Sequence, residues 1–169
     1  MRSARVSRII TAVLTACCLA LIGCGSKVEE QADERPPASS AAQKQTYQLG
    51  ETATIGGASQ TVLSAEKYTS KGIQAGEGHV FLLVQVTLEN AGPEDLYYND
   101  SDYLMALADG SQVNGMLNEA PDALPDHGSI ATGESRSGSL LFEVPKDLHG
   151  LTLVNRGGWA QSGLRVSIG

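Results

Sequence analysis

The run Gly78-His79-Val80-Phe81-Leu82-Leu83-Val84-Gln85-Val86-Thr87-Leu88-Glu89-Asn90 decides the fold. Val80, Leu82, Val84, Val86 and Leu88 share one side of a period of two. Gln85, Thr87 and Glu89 take the other side, joined at the early end by Phe81 and Leu83. A helix, at about 3.6 residues per turn, would scatter these aliphatic side chains around its axis. A strand collects them on one face. The run is therefore a strand covered on both faces only in its first half, and Asn90-Ala91-Gly92-Pro93 stops it.

Shorter strands are expected on both sides of it. Residues 60–68 carry Val62, Leu63 and Tyr68. Residues 103–108 and 111–117 flank Asp109-Gly110, a hairpin signal because Gly accepts the positive φ that a tight turn demands. Residues 137–144 set Leu140, Phe142 and Val144 on one face, and Pro145, which lacks an amide donor, closes them. Residues 151–155 and 164–168 follow, and weaker strands are expected at 47–49 and 52–55. Helical periodicity is scarce and no internal repeat is evident. Seven to nine short strands separated by turn residues make an all-β domain of two sheets, a sandwich or a barrel, over residues 46–169. Its 124 residues suffice for a core without covalent staples.

The 169 residues are 41% hydrophobic and 18% charged, with a net charge of −7. This balance disfavours a wholly disordered chain, a coiled coil and a polytopic membrane protein. A nucleic-acid partner is disfavoured too, because it needs a basic face. The N-terminus stands apart from the domain. Arg2, Arg5 and Arg8 precede an uncharged run of 14 residues, 9–22. As a helix the run would span about 21 Å, short of the ~30 Å hydrocarbon core, so residues 1–23 read as a signal peptide. Residues 25–45, GSKVEEQADERPPASSAAQKQ, hold one large aliphatic side chain, Val28, and cannot offset their ordering entropy. The expected organisation is a signal peptide at 1–23, a flexible tether at 24–45 with a root-mean-square reach of about 25 Å, and the β domain at 46–169.

Leu21-Ile22-Gly23-Cys24 resembles the lipobox of bacterial lipoproteins. The resemblance implies cleavage between Gly23 and Cys24 and a diacylglycerol, with acyl chains such as palmitate, on the Cys24 thiol. The mature protein would then sit on the extracytoplasmic face of the cell membrane, held by its lipid. Two acyl chains anchor durably where one binds only marginally. Cys17 and Cys18 leave with the signal peptide, so no disulfide is expected in the mature chain. Loss of three arginines takes the net charge from −7 to −10, so lipid rather than charge must hold the protein at an anionic surface.

A second resemblance covers the domain. Gly78, Phe81 and the run Val84–Asn90, then Leu107-Ala108-Asp109-Gly110, then Thr132-Gly133-Glu134, Gly138 and Leu141-Phe142-Glu143-Val144-Pro145 occur in this order. Together they resemble the uncharacterised immunoglobulin-like domain of many bacterial surface lipoproteins, a group similar in fold to secreted immunoprotective extracellular antigens. The resemblance implies an immunoglobulin-like two-sheet antiparallel sandwich, an extracytoplasmic location and no established catalytic set. Unlike antibody domains, this one has no cysteine pair to bridge its sheets, and Trp159 comes late in the chain.

Candidate chemistry is sparse. Ser64-Ala65-Glu66-Lys67 fits S-x-x-K, but in a strand Ser64 and Lys67 point to opposite faces, and neither K-T-G nor S-D-N accompanies it. Gly133–Ser137 departs from G-x-S-x-G at its last position and precedes a strand. His79, His127 and His149 lack the local pairing of transition-metal sites. The segment Glu94-Asp95-Leu96-Tyr97-Tyr98-Asn99-Asp100-Ser101-Asp102 concentrates four carboxylates and two tyrosines. Three readings stay open: a solvated acidic turn, a calcium site of non-EF-hand type, or a partner-contact patch formed by Tyr97, Tyr98, Asp100 and Asp102. Asp122 and Asp126 lie on what reads as a second acidic loop. The expected function is non-enzymatic, with no cofactor beyond the lipid: a tethered binding module for an envelope protein, peptide or glycan. The alternatives are a calcium- or metal-binding envelope protein or hydrolase, and a passive surface spacer.

Overall fold

The run 78–90 becomes the central strand β4 (His79–Asn90), paired along its length with β3 (Ala58–Tyr68) and β9 (Ser135–Pro145). The computed structural model describes residues 46–169, Ser162 excepted, so the expected signal peptide and tether, Gly23 and Cys24 included, lie outside the described residues. The remaining strands are β1 (Tyr47–Gln48), β2 (Thr52–Ile55), β5 (Leu96–Asn99), β6 (Tyr103–Ala106), β7 (Gln112–Asn114), β8 (His127–Ile130), β10 (Thr152–Asn155) and β11 (Leu164–Ser167). One sheet has the order β2-β3-β4-β9 and the other β1-β11-β10-β6-β7, while β5 and β8 form a two-stranded ribbon. Pairing is antiparallel throughout except that β1 runs parallel to β11. The expected all-β sandwich is what forms.

Alternation along β4 has the predicted consequence. Leu82, Val84, Val86 and Leu88 are buried against Leu140, Phe142 and Val144 of β9 and against Met105, Leu153 and Val166 of the opposite sheet. In β3 the register slips between Val62 and Ser64, a bulge that leaves Leu63 56% exposed. Beyond the bulge Ser64 pairs with Gln85 and Lys67 with Leu82, residues on opposite faces of β4, so the S-x-x-K side chains diverge. The Asp109-Gly110 hairpin forms as expected, with Gly110 at φ +86°. The amide and hydroxyl of Ser111 both donate to Asp109, which holds its carboxyl below the ordinary range.

Two features depart from the sequence expectation. No strand is expected in the acidic segment, yet Leu96–Asn99 is strand β5, paired with the unanticipated β8. Leu96 and Tyr98 enter the core with Ile130, while Tyr97 faces out. The flanking carboxylates masked an alternation of only four residues, and β8 (HGSI) has one large apolar side chain to betray it. The strand expected at 111–117 is also short, because the chain after Asn114 leaves to cover the free edge of β9. There Met116 N donates to Leu141 O (2.8 Å), Leu124 N to Ser139 O (2.9 Å), and Ser139 N to Asp122 O (2.8 Å). An exposed edge would otherwise offer unpaired backbone groups to other chains.

Candidate functional site

The β6–β10 pairing creates the site. Tyr103 at the start of β6 stands opposite Asn155 at the end of β10, so the turn before β6 and the turn after β10 lie side by side. Asn99 begins the first turn, Asp100–Asp102, by accepting from the amide (2.9 Å) and hydroxyl (2.6 Å) of Ser101. The second, Gly158–Ala160, follows Gly157. The amide of Arg156 donates to the Asp102 carbonyl at 2.9 Å and ties the two together. A cleft of about 470 Å³ opens between them, lined by Tyr97, Tyr98, Asn99, Asp102, Gly158 and Trp159.

Glycines set the walls. A Cβ on Gly157 would stand 2.8 Å from Asp102 Oδ2 and 3.1 Å from Asn155 Oδ1, so only Gly lets the carboxylate lie there. In β8, Gly128 faces Tyr98, and a Cβ there would stand 2.7 Å from the phenolic oxygen. The cleft rests on a buried polar group joining the sheets. Gln60 Oε1 accepts from Tyr103 Oη (3.1 Å) and Asn155 Nδ2 (2.8 Å), and Asn155 Oδ1 accepts from Gly157 N (2.8 Å). Burial, with lesser contributions from the negative charge of Asp102 and from Tyr98, pushes the Tyr103 phenol far above its ordinary pKa, so it stays a donor.

The four candidate contact residues separate. Tyr97, 73% exposed, shares the cleft with the buried Tyr98 and the half-buried Asp102. Asp100 instead lines a smaller cavity of about 110 Å³ with Asp126, and its amide donates to the Asp126 carbonyl (2.8 Å). Asp122 is committed elsewhere, accepting from Gln85 Nε2 and from Ser139 Oγ. Among the described residues no three His, Cys, Asp or Glu side chains gather as metal ligands. Of the histidines, His79 bonds the Glu77 carbonyl, His127 lies in β8 and His149 sits 3.6 Å from Asp147. Trp159 was missed as a site residue. Its signal was present, the one Trp of the chain set in a Gly-Gly-Trp turn; in the fold it is half-buried, packing against the core as well as lining the cleft. The lining offers aromatic surface and one carboxylate, which suits recognition.

A family model described as "Domain of unknown function (DUF4352)" matches residues 47–163. No curated protein matches the chain. Among solved structures, the yjhA protein from Bacillus subtilis aligns at 20% identity with a TM-score of 0.56, over 73% of this chain and 99% of that one. The secreted protein MPT63 from Mycobacterium tuberculosis aligns at 17% identity with a TM-score of 0.57, over 75% and 99%. The ycdA protein from Bacillus subtilis aligns at 19% identity with a TM-score of 0.57; this chain covers 38% of its length and 69% of its own. These likenesses bear out the β-sandwich and the resemblance to bacterial surface and secreted domains.

Proposed function

Because the chain belongs to the DUF4352 family, a fold without an assigned chemistry, we propose its function from the cleft: an extracytoplasmic lipoprotein whose sandwich is a binding module. The observation that carries this reading is the convergence of Tyr97 from β5, Asp102 from the turn before β6 and the half-buried Trp159 from the turn after β10 on one cleft. Aromatic side chains lining a cleft on a rigid scaffold are the usual anchors of recognition. The basic start, the apolar run and the lipobox-like Gly23-Cys24 support a lipid anchor. MPT63 is a secreted protein and ycdA is named as a candidate lipoprotein, which supports the same compartment for this chain.

Crosslinking in intact producing cells tests the reading. Wild type should capture a partner that an unrelated lipidated control does not, and Tyr97→Ala should lose it with an unchanged melting temperature. Tyr98 is unsuitable for this test because it is core. Undiminished capture by Tyr97→Ala would reject the cleft, and no capture above the control would reject the binding module.

A further inference from the structure

We propose that the Tyr97–Trp159 cleft receives a cationic side chain, an arginine or lysine carried by a basic peptide segment; the inference rests on the cleft being the module's contact site. Three observations select this chemistry. First, the half-buried carboxylate of Asp102 makes no hydrogen bond or ion pair with any side chain among the described residues. A carboxylate held in a cleft without a cation is half of a pair. Second, it shares the cleft with Tyr97 and Trp159, whose ring faces attract cations, and a guanidinium can also stack on them. Third, the surrounding field is negative. Residues 46–169 hold 15 acidic and 6 basic side chains. The adjacent base, Arg156, is exposed, and its side chain makes no ion pair with Asp102.

These facts also rank the other occupants. An anionic polymer would be repelled by this field. A neutral sugar would stack on the same rings but would gain nothing from the domain's charge. A basic peptide uses rings, carboxylate and field together. The cleft, about 470 Å³, lies in the ordinary range of ligand sites and accommodates one long side chain with part of its backbone.

Trp159 is the chain's only tryptophan, so the site reports on itself. The full-length protein in non-ionic detergent is titrated with capped hexa-arginine, with its neutral isostere hexa-citrulline, and with a neutral chito-oligosaccharide, following tryptophan fluorescence. Hexa-arginine should give a saturable change that weakens as salt is raised. Asp102→Asn should weaken it about five- to tenfold, and Tyr97→Ala should weaken it independently. Melting temperatures of both variants should match wild type, since neither side chain supports the core. An equal response to hexa-citrulline, an unchanged affinity in Asp102→Asn, or no response to hexa-arginine would overturn the proposal. A response to the oligosaccharide alone would overturn the cationic ligand while leaving the cleft a binding site. Partner capture lost in Tyr97→Ala alongside silence to hexa-arginine would separate the two readings in the same way.

Discussion

Gln60 shows how one polar residue can be committed to a hydrophobic interior. It is 1% exposed, and its carbonyl oxygen accepts from Tyr103 and Asn155 of the opposite sheet. Among the described residues its amide nitrogen finds no hydrogen-bond partner, a cost of about 1–3 kcal/mol for a buried donor. Removing the side chain would not recover that cost, because two further donors would lose their acceptor. Gln60→Leu should therefore destabilise the domain by about 2–4 kcal/mol, measured by urea unfolding. Tyr103 gives a prediction of opposite pH sense to a paired carboxylate. Its folded pKa lies above the unfolded value of about 10, so its contribution is complete below that pH and falls as pH rises beyond it. Ultraviolet titration should show one phenol that stays protonated until the domain unfolds. A full set of tyrosines ionising in the folded protein near pH 10 would contradict this.

At the scale of elements, the covered edge of β9 depends on Gly138. A Cβ there would stand 2.7 Å from Leu124 Cα and 2.8 Å from Leu124 N, backbone atoms that cannot rotate aside. This accounts for a glycine inside the strand, at the point where its buried half begins. Gly138→Ala should lift the 122–124 crossing from the edge and cost about 1–3 kcal/mol. Hydrogen exchange should speed up at Leu124 and Ser139, whose amides close that edge, while the amides of β4 stay protected. Asn90 plays a matching part further along β4, beyond Val86, the residue that Gly138 pairs with. Its amide nitrogen donates to the Glu94 and Ile130 carbonyls (both 2.8 Å), and its oxygen accepts from Gly92 N (3.0 Å). The Asn that ends β4 thus fixes where the β5–β8 ribbon begins.

For the whole molecule, the proposed lipid anchor and the β domain are tested separately. If Cys24 carries the lipid, Cys24→Ala should abolish labelling by a radioactive or clickable fatty acid and block cleavage by the lipoprotein route. Labelling retained by the variant would refute that assignment. The domain itself should melt at the same temperature in both forms, since it carries its own core.

Alternation in 78–90 was enough to place the central strand, and Asp109-Gly110 and Pro145 were enough to bound two others, because strand periodicity and turn chemistry are properties of neighbours along the chain. The same local logic underlies the expectation of an N-terminal address, which lies outside the described residues. Tyr97, Tyr98 and Asp102 could also be picked out, as polar and aromatic residues crowded into one segment. What alternation could not show was that Tyr98 belongs to the core, that Asp100 turns away to Asp126, or that Trp159 completes the cleft. Those facts follow from which strands pair. Asp102 and Trp159 are far apart in sequence and become neighbours only because Tyr103 pairs with Asn155. The pairing is selected by burial of side chains from both sheets at once, a free energy of the whole core rather than of any stretch of sequence.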